Sequence, residues 1–467
     1  MISLHSDHPD RYSTYGFTHF VQTYGLLSPT IRMKSGKVII NGDDTSGSEF
    51  SIFVPDEELG DEAIAHRILQ RIENETEEVS LKNTVNYSEN GIELDFNIFR
   101  EIGFVLSGKF EAALLKIDTQ KQRIFSTVPI VDIYEKELFD LIRHACAQSG
   151  VPLVHKAFWP EGKKFAVCLT HDVDEIRKTY QYFTRFLKHL KRGELRRGWY
   201  QLSTFFTDKL TGRNPYWTFE EIMRIENALN VKSTFFFLNE TANVNLLKPA
   251  TWIHYARRYD FRDPKIAELI KDLAANGWEI GLHGSYDSYR DKEKLQKEKD
   301  YLEETLGSTV HGIRQHHLNL MIPETWKYHE SIGLEYDTSL GFKGGEAIGF
   351  KWGTSFPFHP TDDNEELSLL EIPLAIMDIS LTTNSGVTAW ESCVKVVTEV
   401  KNYGGVLTLL WHHTVFNTDE YPQCAEVYEK LIRVCKEKGA WIATAGELAR
   451  WWKLREESTL ECEYNEI

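Results

Sequence analysis

From residue 165 onward the chain alternates short apolar runs with amphipathic helical stretches, and this rhythm constrains the fold more than any other feature. FAVCLTH, VKSTFFFL, WEIGLHG, VHGIRQHH, LEYDTSL, GVLTLLWHH and WIATAGEL read as strands. YWTFEEIMRIENAL, DPKIAELIKDLAANG, KLQKEKDYLEETLG, PETWKYHESIG and AEVYEKLIRVCKEKG read as the helices among them. Punctuation agrees: Asp263 is placed as an N-cap, Pro264 in the first turn, and Gly277 and Gly307 as stops. Strands alternating with helices predict a parallel sheet. About seven such units in roughly 290 residues fit a (β/α) barrel better than an open sheet.

The first 155 residues read differently. KVIINGDD, FSIFVP and GIELDFNIF hold strand-like stretches broken by Asn-Gly and Asp/Ser clusters. YEKELFDLIRHACAQ (134–148) places Leu138, Leu141, Ile142 and Cys146 on one helical face, and Gly150 and Pro152 stop it. The expected organisation is an α+β domain over 1–155, a barrel over 160–456 and a mobile acidic tail over 457–467. No catalytic cluster stands out before 155.

A net charge of −17 over 467 residues argues against general nucleic-acid binding, which needs a basic footprint. The opening MISLHSDHPDRYS lacks the apolar core of a secretory signal, and no run approaches the roughly 18 apolar residues of a membrane span. The six cysteines (Cys146, Cys168, Cys393, Cys424, Cys435, Cys462) form no C-x-x-C pair, so a reduced, cytoplasmic protein is expected. Residues 177–213 depart from the acidic background with ten Lys or Arg against two acidic residues. Phe183, Phe186, Leu187 and Leu190 are helically spaced there. The segment reads either as a solvated helix face or as a docking surface for a phosphate, a nucleotide or an anionic lipid head group.

In a (β/α) barrel the functional groups gather at the C-terminal ends of the strands. His171, Asp172, His283, Arg314, His412 and His413 all fall at such ends. Asp172 and Asp174, two apart, can share one side of the chain and face one cation. His283 and Asp287 can ligate together if the intervening turn is helical. Arg314 suits bidentate orientation of a carboxylate, and His412 suits acid catalysis near neutral pH. In the pairs 316–317 and 412–413, alternation buries one histidine and exposes the other. Trp352, Phe356 and Trp411 read either as core or as a sugar-stacking wall.

The order of these segments, from about 164 to 452, resembles the polysaccharide deacetylase (NodB-homology) family, carbohydrate esterase family 4. Thr170-His171-Asp172-Val173-Asp174 resembles the family's first motif, usually Thr-Phe-Asp-Asp-Gly, and STFFFL (233–238) looks like the strand that follows. WEIGLHGSYD resembles the second motif, GIRQHH the third, EIPLAIMD (371–378) the fourth and LTLLWHH the fifth. DFNIFREIGFVLSGKFE resembles an accessory domain found before some bacterial and archaeal members.

The resemblance implies a distorted (β/α) barrel and metal-assisted hydrolysis of an N-acyl group, N-acetyl first, on a sugar. It makes Asp172 the general base, oriented by Arg314, and Asp174 and His283 metal ligands. His412 becomes the general acid, oriented by Asp378, and backbone N–H groups near 315–317 would face the oxyanion. The chain departs from the pattern in two places. Asp287 stands where the second metal histidine is usual, and His413 where the fifth motif has Asp. Asp287 is therefore the first choice as third ligand, with His316 or His171 as substitutes. His171, His316, His317 and His413 are further candidates for substrate or metal contact. Zinc is the implied metal, with manganese or cobalt admitted by a harder Asp/His/Asp set. In a cytoplasmic chain the expected substrate is a precursor, a nucleotide- or lipid-linked N-acyl sugar of surface-glycan synthesis. Two other classes stay open: another C–N hydrolase (a deformylase or a cyclic-amide hydrolase), and a non-catalytic glycan-binding relative.

Overall fold

The computed structural model describes residues 10–459, apart from 28–30, 35–36, 42–48, 56–58, 75–83, 89–90, 118–126, 246, 249–250, 345–347, 363–364 and 384–385. The first nine residues, Cys462 and most of the acidic tail expected over 457–467 lie outside the described residues.

Five strands come first: β1 (Ile31–Lys34), β2 (Lys37–Asn41), β3 (Glu49–Phe53), β4 (Val85–Ser88) and β5 (Gly91–Leu94). They form one sheet in the order β1-β2-β3-β5-β4, antiparallel except for β3 with β5. Helices Arg11–Tyr24, Asp61–Asn74, Ile98–Leu106, Lys109–Ile117 and Ile130–Gln148 accompany it. Asp10 caps the first helix by accepting from the N–H groups of Tyr12 and Ser13. That helix and Ile98–Leu106 touch backbone to backbone, because a Cβ on Gly16 would lie 2.0 Å from the Phe99 carbonyl oxygen. The last helix begins at Ile130, a turn before the sequence pattern, and buries Ile130, Val131 and Ile133 in the core.

This first unit packs directly against the rest of the chain. One apolar cluster contains Tyr12 and Phe99 as well as Phe165 and Cys435. Buried Asp132 accepts from the Ser355 N–H at 2.9 Å and its hydroxyl at 2.5 Å. Arg455 donates to the carbonyls of Gln22 and Thr23, both at 2.6 Å.

The second sheet contains β6 (Phe165–Val173), β7 (Thr234–Leu238), β8 (Glu279–Gly284), β9 (Gly312–Gln315), β10 (Tyr336–Asp337), β11 (Leu370–Glu371), β12 (Ile376–Met377), β13 (Val406–Leu410) and β14 (Ala440–Ala443). All its pairings are parallel, and its path runs β11-β10-β9-β8-β7-β6-β13-β12. The two ends of that path are one stretch of chain. On one side Ile372 and Leu374 donate to the carbonyls of Asp337 and Leu340, both at 2.9 Å. On the other, Ala375 and Asp378 donate to Thr408 and Leu410, at 3.1 and 3.0 Å. Residues 370–377 thus close the ring. The barrel is distorted because β6 shares one edge between two neighbours, β14 along Phe165–Cys168 and β7 along Thr170–Val173. β6, β7, β9 and β13 are buried along their whole length, as a helix-covered parallel sheet requires.

The helices follow the expected punctuation. Pro264–Ala275 is capped by Asp263, and Lys292–Leu306 ends at Gly307 with φ 81°. The basic segment forms a helical hairpin, Gln181–Lys191 and Leu195–Thr211, that turns at Gly193 with φ 73°. Lys178 and Arg185 pair with Glu420, and Arg213 with Asp419, which ties the hairpin to the loop after β13. Trp352, Phe356 and Trp411 are buried in the core, so they form no sugar-stacking wall. Among the described residues no helix is long and apolar enough to cross a membrane.

Candidate active site

The C-terminal ends of β6, β8, β9 and β13 converge on one cleft. β6 runs four residues past its apolar stretch, which ends at Leu169, and carries Asp172 there, with Asp174 just beyond it. Asp172 is buried, and its Oδ1 accepts from Arg314 Nη1 at 3.0 Å. Arg314 is itself fixed on every side. Nη1 donates to the Thr170 hydroxyl at 2.6 Å, Nε to the Thr338 carbonyl at 3.0 Å and Nη2 to the Thr338 hydroxyl at 2.9 Å. Below it the Phe236 ring lies 4.9 Å from the guanidinium carbon. That ring has room because residue 281 is glycine, where a Cβ would sit 2.5 Å from it.

Asp174 faces two histidines. His283 Nδ1 donates to the Arg314 carbonyl at 2.8 Å, which leaves Nε2 pointing at Asp174 Oδ1 (3.1 Å) and Asp172 Oδ2 (3.7 Å). His316 Nε2 is 3.7 Å from Asp174 Oδ1. One ligand atom each from Asp174, His283 and His316 lies within 4.8 Å of the others. A nitrogen lone pair aimed at two carboxylates needs a positive charge between them, and two imidazoles with one carboxylate are a good donor set for a divalent transition metal. The residues present therefore fit such an ion. Burial works against charge on Asp174, but His316 and His283, with Arg257, outweigh it and hold the carboxyl well below its ordinary range.

The first-choice third ligand, Asp287, is not in this group. It precedes a short 3-10 turn, Ser288–Arg290, and its carboxylate is taken by Lys294 from the next helix. His316 stands in that place because β9 ends at Gln315 and a tight turn follows, with His317 and Leu318 both left-handed at φ 57° and 51°. Among non-glycine residues such backbone is strained and concentrates at functional sites.

On the facing side, the His412 N–H donates to Asp378 Oδ2 at 2.6 Å, and its ring Nδ1 lies 3.0 Å from both Asp378 oxygens. Nε2 is directed to the cleft, 3.9 Å from Asp174 Oδ2. Burial disfavours the imidazolium, but Asp378, then Asp174 and Asp172, override it and raise its pKa to about 10. The cleft, about 260 Å³, is also lined by Arg257, Gln181 and Arg185.

The remaining candidates separate. His171 is fully buried, with Nδ1 on the Trp411 carbonyl (2.7 Å) and Nε2 on Glu226 (2.9 Å). His413 is buried beneath the site against the carbonyls of Glu175 (2.8 Å) and Asp172 (3.2 Å), and burial lowers its pKa to about 4. His317 lies exposed at the rim, and desolvation by its neighbours, with the charges of His316 and Arg257, lowers its pKa to about 4. Of each adjacent pair, one member faces the cleft or rim and the other is buried, but in 316–317 it is the buried histidine that reaches the ligand group.

No family model and no curated protein matches the chain. Its neighbours among solved structures include polysaccharide and peptidoglycan deacetylases, an allantoinase and a CE4 family pseudoenzyme. A chain from Mycobacterium smegmatis assigned as a polysaccharide deacetylase is 19% identical over 67% of this chain and 98% of its own, with TM-score 0.42. One so assigned from Pseudomonas aeruginosa PAO1 is 14% identical over 68% and 98%, with TM-score 0.42. The allantoinase Puue is 14% identical over 64% and 93%, also with TM-score 0.42.

Two site residues escaped the sequence reading. Glu240, two residues past β7, is buried with Oε2 3.3 Å from His316 Nδ1 and 3.5 Å from His254 Nδ1. It steers the opposite nitrogen of His316 toward Asp174, as carboxylates behind metal-binding histidines do. The signal available was its place at a strand end. Arg257 caps the C-terminus of a short helix, Trp252–Ala256, which no sequence signal marked. Its Nη1 donates to His316 Nε2 at 2.7 Å, and its Nη2 is 4.0 Å from Asp174. A cation and Arg257 compete for the same His316 lone pair.

Proposed function

We propose that this protein is a metal-dependent hydrolase that removes an N-acyl group, N-acetyl first, from a sugar or glycan precursor. The observation that carries the reading is the convergence of Asp174, His283 and His316 between an Arg-held carboxylate, Asp172, and a carboxylate-held imidazole, His412. The motif resemblance from 164 to 452 supports the same reaction class.

Asp174, His283 Nε2 and His316 Nε2 would hold the cation, zinc in first place with manganese or cobalt as alternatives. Bound there, the ion would supply a water of lowered pKa and polarise the acyl carbonyl. Asp172, oriented by Arg314, takes the proton of the attacking water as its oxygen bonds to the acyl carbon. The Gln315 N–H is engaged by the Ser339 hydroxyl at 2.8 Å, so the backbone donors for the oxyanion narrow to 316 and 317. His412, protonated at neutral pH, passes its Nε2 proton to the nitrogen as the C–N bond breaks, giving a free carboxylic acid and an amine. Asp378 holds the imidazolium and fixes its ring.

The substrate we propose is a nucleotide- or lipid-linked N-acyl sugar met in the cytoplasm. A non-catalytic, glycan-binding reading draws on Arg257, whose guanidinium already satisfies His316. The deciding experiment combines elemental analysis of purified protein with acid release from N-acetyl and N-formyl sugars and from cyclic imides. Bound divalent metal with acetate released from an N-acetyl sugar is expected. Release only from a cyclic imide moves the protein to another C–N hydrolase class. Protein without metal or turnover would falsify the enzyme reading.

A further inference from the structure

We propose that the helical hairpin 181–211 seats the protein on an anionic membrane surface. Each of its helices carries an exposed apolar stripe. Phe183, Leu187 and Leu190 recur at i, i+4, i+7 on the first, and Leu195, Trp199, Phe206 and Leu210 lie on one face of the second. Their exposure runs from 46% at Leu190 to 89% at Leu210, high for large apolar side chains. The two helices adjoin: the Phe183 ring meets Phe205 at a tilt (5.1 Å between ring centres) and Phe186 meets Trp199 edge-on (6.4 Å), with Gly198 set against Phe186.

Charge complementarity selects the occupant. Residues 177–213 carry ten Lys or Arg against two acidic residues, in a chain of net −17. Lys188, Lys191 and Arg196 are exposed beside the stripes, and among the described residues no carboxylate pairs with them. Trp, Phe and Leu on one side and Lys and Arg on the other form the pattern of an interfacial helix on acidic lipid. A cavity of about 780 Å³ opens between the hairpin and the barrel. It shares Phe183 with the first stripe, and its lining of Arg177, Lys178, Lys209, Arg213 and Lys265 outnumbers Asp208 and Asp263, an excess of cations that suits a phospholipid head group.

The hairpin also reaches the cleft, since Gln181 and Arg185 line it together with Asp174 and His412. Docking would therefore bring the cleft to the membrane surface and favour a lipid-carried N-acyl sugar. That last consequence rests on the hydrolytic reading; the docking itself does not.

The test is sedimentation of the full-length protein with phosphatidylcholine vesicles, with and without phosphatidylglycerol. Binding is expected only with the anionic lipid, weakened by added salt. Combining Lys188→Glu, Lys191→Glu and Arg196→Glu, or Leu187→Asp, Trp199→Asp and Leu210→Asp, should each weaken it about tenfold or more. Asp172→Asn should bind vesicles like the parent while losing hydrolysis, which separates docking from catalysis. Failure to bind anionic vesicles, or binding by either triple variant as strong as the parent's, overturns the proposal. So does a concentration-dependent dimer in sedimentation velocity that the apolar triple variant abolishes, since a second copy would then cover the face.

Discussion

His171 and His412 each sit against a carboxylate at the ends of adjacent strands, β6 and β13, and the two pairs have nearly the same nitrogen–oxygen separation, 2.9 Å to Glu226 and 3.0 Å to Asp378. Their surroundings differ. Glu226 also accepts from Trp278, Ser233 and Tyr428, and His171 has its other nitrogen on a carbonyl. Every polar atom there has a partner, and nothing reaches the cleft. A quarter of the His412 side chain is exposed, and its Nε2 faces Asp174 across open space. A histidine–carboxylate pair at a barrel strand end is thus no evidence of chemistry by itself. The nitrogen left over, and what it faces, decides.

The sharpest test of this contrast is on the cleft side. Asp172→Asn should lower kcat/KM by about 10³-fold with bound metal retained, whereas His283→Ala and His316→Ala should lose the metal as well. Elemental analysis beside kinetics distinguishes them. On the buried side, His171→Ala should cost about 1.5–3 kcal/mol in denaturant unfolding, because the Glu226 carboxylate loses one of its four donors in the core. Turnover per folded molecule should stay close to the parent; a loss like that of Asp172→Asn would erase the distinction.

The next effect is a pH shift. His412 is protonated below about 10 and loses its acid proton above it, so activity should fall through that range. Asp378→Asn removes the chief group holding the proton, so the alkaline limb should move to lower pH and kcat drop by about 10²-fold. An unmoved limb would assign the acid elsewhere. The smallest effect is expected at Asp287. Its carboxylate is engaged by Lys294, so Asp287→Ala should change metal content and kcat/KM by no more than about twofold.

Much of the barrel was readable because its signals are local. The cap at Asp263, the stop at Gly307 and the apolar runs of β6, β7, β8 and β13 depend on neighbours within a few residues. The strand closing the ring was not readable as one. Its two paired ends are two residues each, and the stretch between them is held by single hydrogen bonds to opposite neighbours. The ends of β7 and β10 suggested no site residue, yet Glu240 steers His316 and Thr338 holds Arg314. Neither has a distinctive spacing; each matters for what another strand brings beside it.

The amino-acid order alone determined the alternation of strands and helices, the basic helical segment inside an acidic chain, and the set of ionisable groups at strand ends. Periods of two and 3.6 residues are properties of the local backbone. Only the tertiary structure decided which of those groups meet. Asp287 is four residues from His283 and turns to Lys294, whereas His316 is 33 residues away and shares its cleft. Parallel strands place distant residues side by side at one end of a barrel, and that proximity has no counterpart in sequence spacing.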